Sequence, residues 1–278
     1  MAAEKLTIHV PPEATPQNVT QLIESIARDE ISFGSVNELM DYAMKRGIGN
    51  RSEMQFMALQ LGLLGRFDDG FVLTRTGYDF AQLKDAIKPD VLHFLLYSAW
   101  GDGREELFYP SWSYRACCND YWQAKTVELS STYLDSQVTE IINRAEASLT
   151  QETVEYDSVS FSRKSIRGIR NWLEALDPPV IIDGCFQRRD FCHPELFLLA
   201  LGYMMRDEPD AVGVDILLSH ERRQIVCQVC LLDPEAFDST LDWMLPLYPH
   251  VVSADPDVGY YGRYIRLHHL PTLEDLPR

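Results

Sequence analysis

A row of arginine residues between positions 163 and 170 is the strongest candidate for chemistry in this sequence. Arg163, Arg167 and Arg170 are four and three residues apart, so on an α-helix they share one face, with Lys164 beside them. Two more arginines stand at 188–189, in a neighbouring segment. A guanidinium group can pair with phosphate or read guanine through two hydrogen bonds. The pattern therefore predicts a nucleic-acid interface made of Arg163, Lys164, Arg167, Arg170, Arg188 and Arg189.

The local distribution of charge favours this interface, although the total charge of the chain opposes it. The chain has 25 basic and 42 acidic residues and a formal charge of −17, which repels phosphate backbones. Residues 160–189 instead hold six basic and three acidic side chains. Two alternatives stay open for the arginine face: it docks on an acidic surface of another protein, or it is only solvated. Double-stranded DNA and a protein within a complex are therefore the predicted partners.

Several cysteines have a spacing that could bind zinc. Cys227 and Cys230 are separated by two residues, and Cys185 with the Cys-His pair at 192–193 could supply further ligands. Residues 225–232 are mostly apolar, however, and contain no glycine of the kind found in metal-binding turns. Free cysteine is common in protein cores. We therefore expect these cysteines in the core, and the sequence predicts neither a metal site nor a cofactor.

A nuclease-like pattern lacks the side chains that its reaction needs. After Asp215, a metal-dependent nuclease would have a second carboxylate and a lysine, which bind Mg²⁺ and position the attacking water. Gln228 and Cys230 occupy these two positions. Phosphate-binding loops, serine-nucleophile elbows and zinc-protease motifs are also missing from the sequence. We predict no catalytic residue and no enzyme activity, and a nuclease is the least favoured class.

The kind of elements that would position the basic helix first occurs within the first eighty residues. Apolar spacing predicts three helices within residues 16–61. A Leu-Gly-Leu-Leu segment at 61–64, an Asp-Asp-Gly turn at 68–70 and a returning strand then predict a hairpin. Residues 61–80 resemble the helix-to-wing segment of winged-helix regulators. That resemblance implies a fold whose third helix enters the DNA major groove while the hairpin wing contacts phosphate.

Helix, strand, acidic turn and strand recur twice more along the chain, at 134–189 and at 218–267. The expected fold class is therefore α+β and helix-rich, as a compact array of two or three winged-helix modules with short β-hairpin wings. An apolar helix and an aromatic stretch link the first two modules. The predicted domains are module 1 at 1–85, a helical aromatic bridge at 86–133, module 2 at 134–206 and a possible module 3 at 207–278.

Composition and the chain start predict a soluble, cytoplasmic protein. Hydrophobic residues make up 46% and charged residues 24%, as in globular proteins. The first residues lack the basic and apolar regions of a signal peptide. No apolar run approaches the roughly 20 residues that cross a bilayer. We therefore expect no membrane partner.

Two functions are consistent with this pattern. The first is a non-enzymatic DNA-binding or adaptor subunit of a larger assembly, which would use the basic helix and wing of module 2. The layout resembles accessory winged-helix proteins encoded with bacterial anti-phage systems, which implies a defence assembly. The alternative is an acidic scaffold for protein interaction without DNA contact, similar to the tandem winged-helix subunits that clamp partner helices in chromosome-organising complexes. An exposed apolar groove of Phe108, Tyr109, Trp112 and Tyr114 would favour the scaffold.

Overall fold

Most of the secondary structure is helical in the computed structural model, which describes residues 4–48, 52–67, 70–101, 109–149, 156–254 and 262–278. Short 3₁₀ turns occur at Asp85–Ile87, Pro209–Ala211, Pro234–Ala236 and Leu273–Asp275. In these described ranges the α-helices are α1 (Pro16–Asp29), α2 (Val36–Lys45), α3 (Ser52–Gln60), α4 (Arg75–Gln82), α5 (Lys88–Ser98), α6 (Tyr109–Ala124), α7 (Ser131–Ser148), α8 (Arg163–Glu174), α9 (Pro194–Met204), α10 (His220–Cys230) and α11 (Phe237–Met244).

The strands are short and form several small sheets rather than one large one. They are β1 (Glu4–Thr7), β2 (Leu64–Phe67), β3 (Gly70–Leu73), β4 (Thr126–Glu128), β5 (Tyr156–Ser160), β6 (Ile181–Ile182), β7 (Cys185–Gln187), β8 (Ile216–Leu217), β9 (Val252–Ala254) and β10 (Tyr264–Leu267). The pairs β2–β3, β4–β7, β6–β7, β8–β10 and β9–β10 are antiparallel, whereas β1 pairs with β5 in parallel. The predicted helix-rich α+β class is confirmed.

A similar order of elements, helix, strand, helix, helix, strand, strand, occurs three times, with β5 inserted between α7 and α8 in the second group and only a β-bridge in place of the first strand in the first group. We name these groups repeat one (α1, α2, α3, β2, β3), repeat two (α6, β4, α7, α8, β6, β7) and repeat three (α9, β8, α10, α11, β9, β10). In repeats two and three the last strand is central, with sheet orders β4-β7-β6 and β8-β10-β9. In repeat one the first strand is reduced to Phe33, which bridges to Phe71 of the last strand. The three groups therefore have the same strand topology.

This grouping differs from the domain boundaries predicted from the sequence. Helix α6 and strand β4 fall in the predicted bridge, 86–133, yet β4 pairs with β7 of repeat two. Helix α9 falls in the predicted module at 134–206, yet it packs against α10 and α11 of repeat three. The first helix and first strand of a repeat carry no turn motif, and only their pairing reveals to which repeat they belong.

Local sequence explains where many of these elements begin and turn. The hydroxyl groups of Ser35, Ser130 and Ser219 each accept a backbone N–H at the start of a helix, which satisfies a group that the helix cannot pair. Between β6 and β7, Asp183 and Gly184 both have positive φ, 52° and 75°. Asp-Gly is the dipeptide preferred in such two-residue hairpin turns. The predicted hairpin at this turn is confirmed.

Buried side chains form a single hydrophobic core that connects the three repeats. The Trp122 indole of repeat two donates to the Leu232 carbonyl of repeat three, 2.8 Å away. Strand β1 crosses from the start of the chain to pair with β5, which lies between the second and third helices of repeat two. This hydrophobic core is continuous across the domain boundaries predicted from the sequence.

Some predicted features lie outside the described residues. These are the turns at 68–69 and 255–257 and the side chain of Phe108. Within the part of the chain that is described, no helix combines the length and the apolar character needed to span a bilayer.

Candidate functional site

Helix α8 carries the basic face predicted from the sequence, and its opposite face is buried. Ile166, Ile169 and Trp172 are fully or almost fully buried on that side. The Trp172 indole donates to the Ala14 carbonyl at 2.8 Å. A Cβ atom at Gly168 would stand 2.1 Å from the Val10 carbonyl oxygen, so only glycine lets the N-terminal arm (residues 4–15) lie this close to the helix. The arm and the core therefore fix the direction in which the basic face points.

Three basic residues of α8 are exposed at its first two turns, and two of them contact carboxylates. Arg163 forms an ion pair with Asp135 of α7 and donates to the Ser131 carbonyl at 3.2 Å. This guanidinium holds the pKa of the Asp135 carboxyl below its ordinary value. Lys164 Nζ lies 3.5 Å from a Glu13 carboxylate oxygen. Arg167 is exposed and has no ion-pair or hydrogen-bond partner in the described ranges.

Arg170 is drawn into the surface of the helix instead of projecting from it. Its guanidinium lies 3.1 Å from Glu174, one turn further along α8. The buried Nε atom of Arg170 has no hydrogen-bond partner among the described residues. Such a half-buried pair within one helix offers a phosphate little free positive charge.

Arg188, predicted as a wing residue, packs inside repeat two. Only 9% of its side chain is exposed. The guanidinium stacks over the Trp122 ring, 4.1 Å from the centroid, and Nε donates to the Trp122 carbonyl at 2.6 Å. The Asp233 carboxylate lies 3.7 Å away. Its stacking and hydrogen bond join α6 to β7 and take up the groups that phosphate contact would require.

Arg189, also predicted as part of the nucleic-acid interface, lies in the core. Its side chain is 2% exposed, and Nη1 lies 3.2 Å from the Asp90 carboxylate, which is itself fully buried. Nε donates to the Cys230 carbonyl at 2.7 Å, and Nη1 also lies 3.3 Å from the Asp177 carbonyl. An arginine with these partners connects α5, β7 and α10. The sequence showed a second charge beside Arg188 but gave no sign of its buried partner.

The six predicted residues therefore do not form one surface. Arg163, Lys164 and Arg167 lie together at the start of α8, Arg170 is paired within the helix, and residues 188–189 belong to the interior. The burial of residues 188–189 could not be predicted from the sequence, because two consecutive arginines after a hairpin are typical of an exposed wing.

A second buried polar group, His93 of α5, lies beside this interior arginine. Its Nε2–H donates to the Val229 carbonyl at 2.7 Å, so Nδ1 accepts from the Tyr114 hydroxyl at 2.7 Å. Burial lowers the pKa of His93 to about 3, in spite of the opposing hydrogen bond to Val229. The imidazole is therefore neutral and structural.

The residues considered for metal binding or catalysis are also buried in the core or engaged in ion pairs. Cys192, Cys227 and Cys230 are buried, and burial raises the pKa of Cys227 to about 12. Asp215 forms a two-point ion pair with Arg266, both distances being 2.9 Å. Among the described residues no group of three or more acidic, histidine or cysteine side chains is arranged to hold a metal ion.

A cleft of about 500 Å³ lies between the N-terminal arm and the start of α8. It is lined by His9 and Lys164 among mainly apolar side chains. The His9 ring is hydrogen-bonded to Ser165 and, at 3.0 Å, to Ser160. Burial, and then the nearby Lys164 charge, lower the pKa of His9. Both ring nitrogens are thus occupied by serine hydroxyls, and the histidine positions the arm on the helix.

The described residues of the aromatic groove considered for protein interaction, Tyr109, Trp112 and Tyr114, are half-buried or buried. Tyr114 is fully buried, and its hydroxyl bonds to His93. Tyr109 and Trp112 are only half-buried and pack against the core. An exposed aromatic pair instead occurs at Phe191 and Trp243, which the sequence analysis did not single out. The sequence feature that could have indicated this pair is Trp243, which lies next to Asp242 on an otherwise polar helix face.

Comparison of the chain with protein-family models, with curated proteins and with solved structures finds no match. The functional assignment therefore depends on the geometry described above.

Proposed function

We propose that the three repeats are winged-helix modules and that the protein is a non-enzymatic adaptor, which binds a partner protein within a larger assembly. The shared order of elements and the central last strand support the winged-helix assignment. In this assignment α3, α8 and α11 are the third helices, the ones that read DNA in nucleic-acid-binding members of this architecture. A role in an anti-phage assembly stays a prediction from the resemblance in layout.

The observation that carries the adaptor proposal is that three of the six candidate DNA-binding cations are already used inside the fold. Of the predicted six, Arg188 and Arg189 are internal, and Arg170 is paired within its own helix. Third helix α11 is acidic on its exposed side, where Asp238 and Asp242 pair with Arg263. A chain with a formal charge of −17 and so little free positive surface repels a phosphate backbone.

Duplex DNA is the second candidate, because one specific observation favours it. Arg163, Lys164 and Arg167 are exposed on the first turns of a third helix. Exposed ion pairs such as Arg163–Asp135 contribute little to stability, because water and salt screen them. A phosphate could therefore replace the carboxylate at low energetic cost.

The two candidates are separated by fluorescence anisotropy with labelled duplex DNA across a salt series. We expect an affinity no tighter than about 10⁻⁴ M at about 0.15 M salt, the weak end of non-specific binding. The variant Arg163→Ala/Lys164→Ala/Arg167→Ala should then bind as the wild type does. A matched control removes three exposed cations elsewhere, as Lys45→Ala/Lys84→Ala/Arg206→Ala.

Salt-sensitive binding that the α8 variant loses and the control keeps would overturn the adaptor proposal in favour of DNA. The complementary measurement is purification of the tagged protein at its native level, followed by nuclease treatment and mass spectrometry. We expect a partner protein in stoichiometric amount that stays bound after the nucleic acid has been removed.

A further inference from the structure

Repeats two and three jointly expose an aromatic pair at their junction. Phe191, which follows β7, and Trp243 of α11 have ring centroids 4.9 Å apart. Their exposed fractions are 38% and 46%. Aromatic side chains usually bury most of their surface, and a contacting exposed pair is a common anchor of protein interfaces. The pair therefore marks this junction as a candidate interaction surface.

The aromatic pair borders a cleft of about 510 Å³, which we name the wing cleft. Phe191 forms one wall, and Ile182 stands at the tip of the β6–β7 hairpin with 61% of its surface exposed. Pro178, Pro179 and Val180 form the rest of its apolar lining. Apolar surface that is contiguous across a hairpin and a helix is typical of interaction sites, whereas isolated exposed residues are not.

Carboxylates at and beside the wing cleft carry negative charge that the fold does not neutralise. Asp190 lines the cleft, and Asp183 directly follows the lining residue Ile182 in the sequence. Both are exposed and have no side-chain partner in the described ranges. Asp177 is also largely exposed and lies 3.4 Å from His193. The two arginines of the cleft, at 188–189, direct their guanidinium groups to internal partners, as described above. The cleft mouth is therefore acidic as well as apolar.

The cleft is held in shape before any partner binds. The Arg189 N–H donates to the Leu231 carbonyl at 3.1 Å, and the Asp233 N–H donates to the Arg189 carbonyl at 2.9 Å. These two backbone bonds connect the wing of repeat two to repeat three. A preformed site loses less entropy on binding than a mobile one, so its contacts yield more affinity.

We propose that the wing cleft binds a segment of a partner protein that inserts an apolar side chain and surrounds it with lysine or arginine. This inference rests on the proposed adaptor function. Charge decides among possible occupants: the acidic rim repels phosphate and also repels a second copy of this acidic chain. A basic segment with an apolar anchor complements both the rim and the wall.

The test is selection of binding peptides from a phage-displayed library of random 16-residue sequences against the full chain. We expect enrichment of peptides with a net positive charge around an aromatic or branched apolar residue. For a selected peptide, Phe191→Ala/Trp243→Ala should weaken binding at least ~10-fold in fluorescence anisotropy, as truncation of interface anchors does. Asp183→Asn/Asp190→Asn should weaken it ~3-fold or more and reduce its dependence on salt.

Matched controls make the same chemical changes in repeat one. Phe67→Ala removes an exposed phenylalanine, and Glu30→Gln/Asp41→Asn removes two exposed charges. Both should bind the peptide as the wild type does. Since all substituted side chains are exposed, circular dichroism and thermal unfolding should show unchanged folds.

Three results would overturn the inference in different ways. Selected peptides that bind the cleft variants normally would place protein recognition elsewhere and leave the adaptor function standing. Acidic selected peptides would contradict the charge argument. Loss of self-association in sedimentation of Phe191→Ala/Trp243→Ala would assign the cleft to a second copy of the chain. Failure to select any peptide, together with α8-dependent DNA binding, would instead reject the adaptor function itself.

Discussion

Replacement of Arg189 by methionine is expected to lower the free energy of unfolding by about 3–5 kcal/mol. The substitution keeps the apolar stem but leaves the Asp90 carboxylate, which is fully buried, without its cation. A charge in a low-dielectric interior that loses its partner is among the most destabilising changes in a protein. Urea unfolding followed by circular dichroism would measure the loss.

Removal of both charges distinguishes the net contribution of the ion pair to stability from the penalty of leaving one buried charge unpaired. One nitrogen of Arg189, Nη2, has no hydrogen-bond partner in the described part of the chain, so the wild-type pair is itself imperfectly satisfied. The double variant Asp90→Leu/Arg189→Met should therefore recover most of the stability that Arg189→Met loses. Arg167→Met, a control on the exposed face of α8, should change stability by less than about 0.5 kcal/mol.

The same experiment tests whether the Arg189 side chain is buried. An exposed wing arginine would give a loss no larger than that of the Arg167 control. Such a result would restore residues 188–189 to the candidate nucleic-acid surface and remove the main support for the adaptor proposal.

Acidification from pH 7 to pH 4 should destabilise the protein by about 3 kcal/mol through His93 alone. Its pKa is about 3 in the folded protein, because the ring is fully buried, and about 6.5 in an unfolded chain. Below pH 6.5 the unfolded state binds a proton that the folded state does not. Stability from this group is therefore complete above pH 6.5 and is lost progressively as the pH falls towards 3.

The variant His93→Gln isolates this contribution, since glutamine does not titrate. At pH 7 it should be less stable than wild type, because the bonds to Tyr114 and Val229 are disturbed. The two proteins should converge in stability as the pH falls, by about 3 kcal/mol at pH 4. His250→Gln, at an exposed position, is the matched control for the loss of one imidazole ring. Parallel curves for wild type and His93→Gln would show that folding does not lower the pKa of His93.

Elements defined by local chemistry were predictable from the sequence. Apolar residues at helical spacing marked α8, with Ile166, Ile169 and Trp172 on its inner face as expected. The Asp-Gly pair at 183–184 marked the turn between β6 and β7. Each of these signals depends only on residues within about one helical turn or one hairpin. It can therefore be recognised in a single sequence.

Features that depend on distant partners were not predictable. Asp90 and Arg189 are 99 residues apart, and nothing in either segment identifies the other. The same holds for the candidate site, where the sequence pattern indicated the cations but not their carboxylate partners, such as Asp135 for Arg163. The wing cleft was missed for a related reason. Phe191 and Trp243 become one surface only when repeats two and three are packed together.

The parallel pairing of β1 with β5 has a consequence for how the chain acquires its structure. During synthesis, Leu6 cannot contact its partner Val159 until the residues between them have been made. The helices of repeat one can pack earlier through local contacts, which form fast, whereas the pairing of β1 with β5 must wait for that later segment. Docking of the N-terminal arm is thus a late folding step, because β5 is synthesised after α6, β4 and α7 of repeat two.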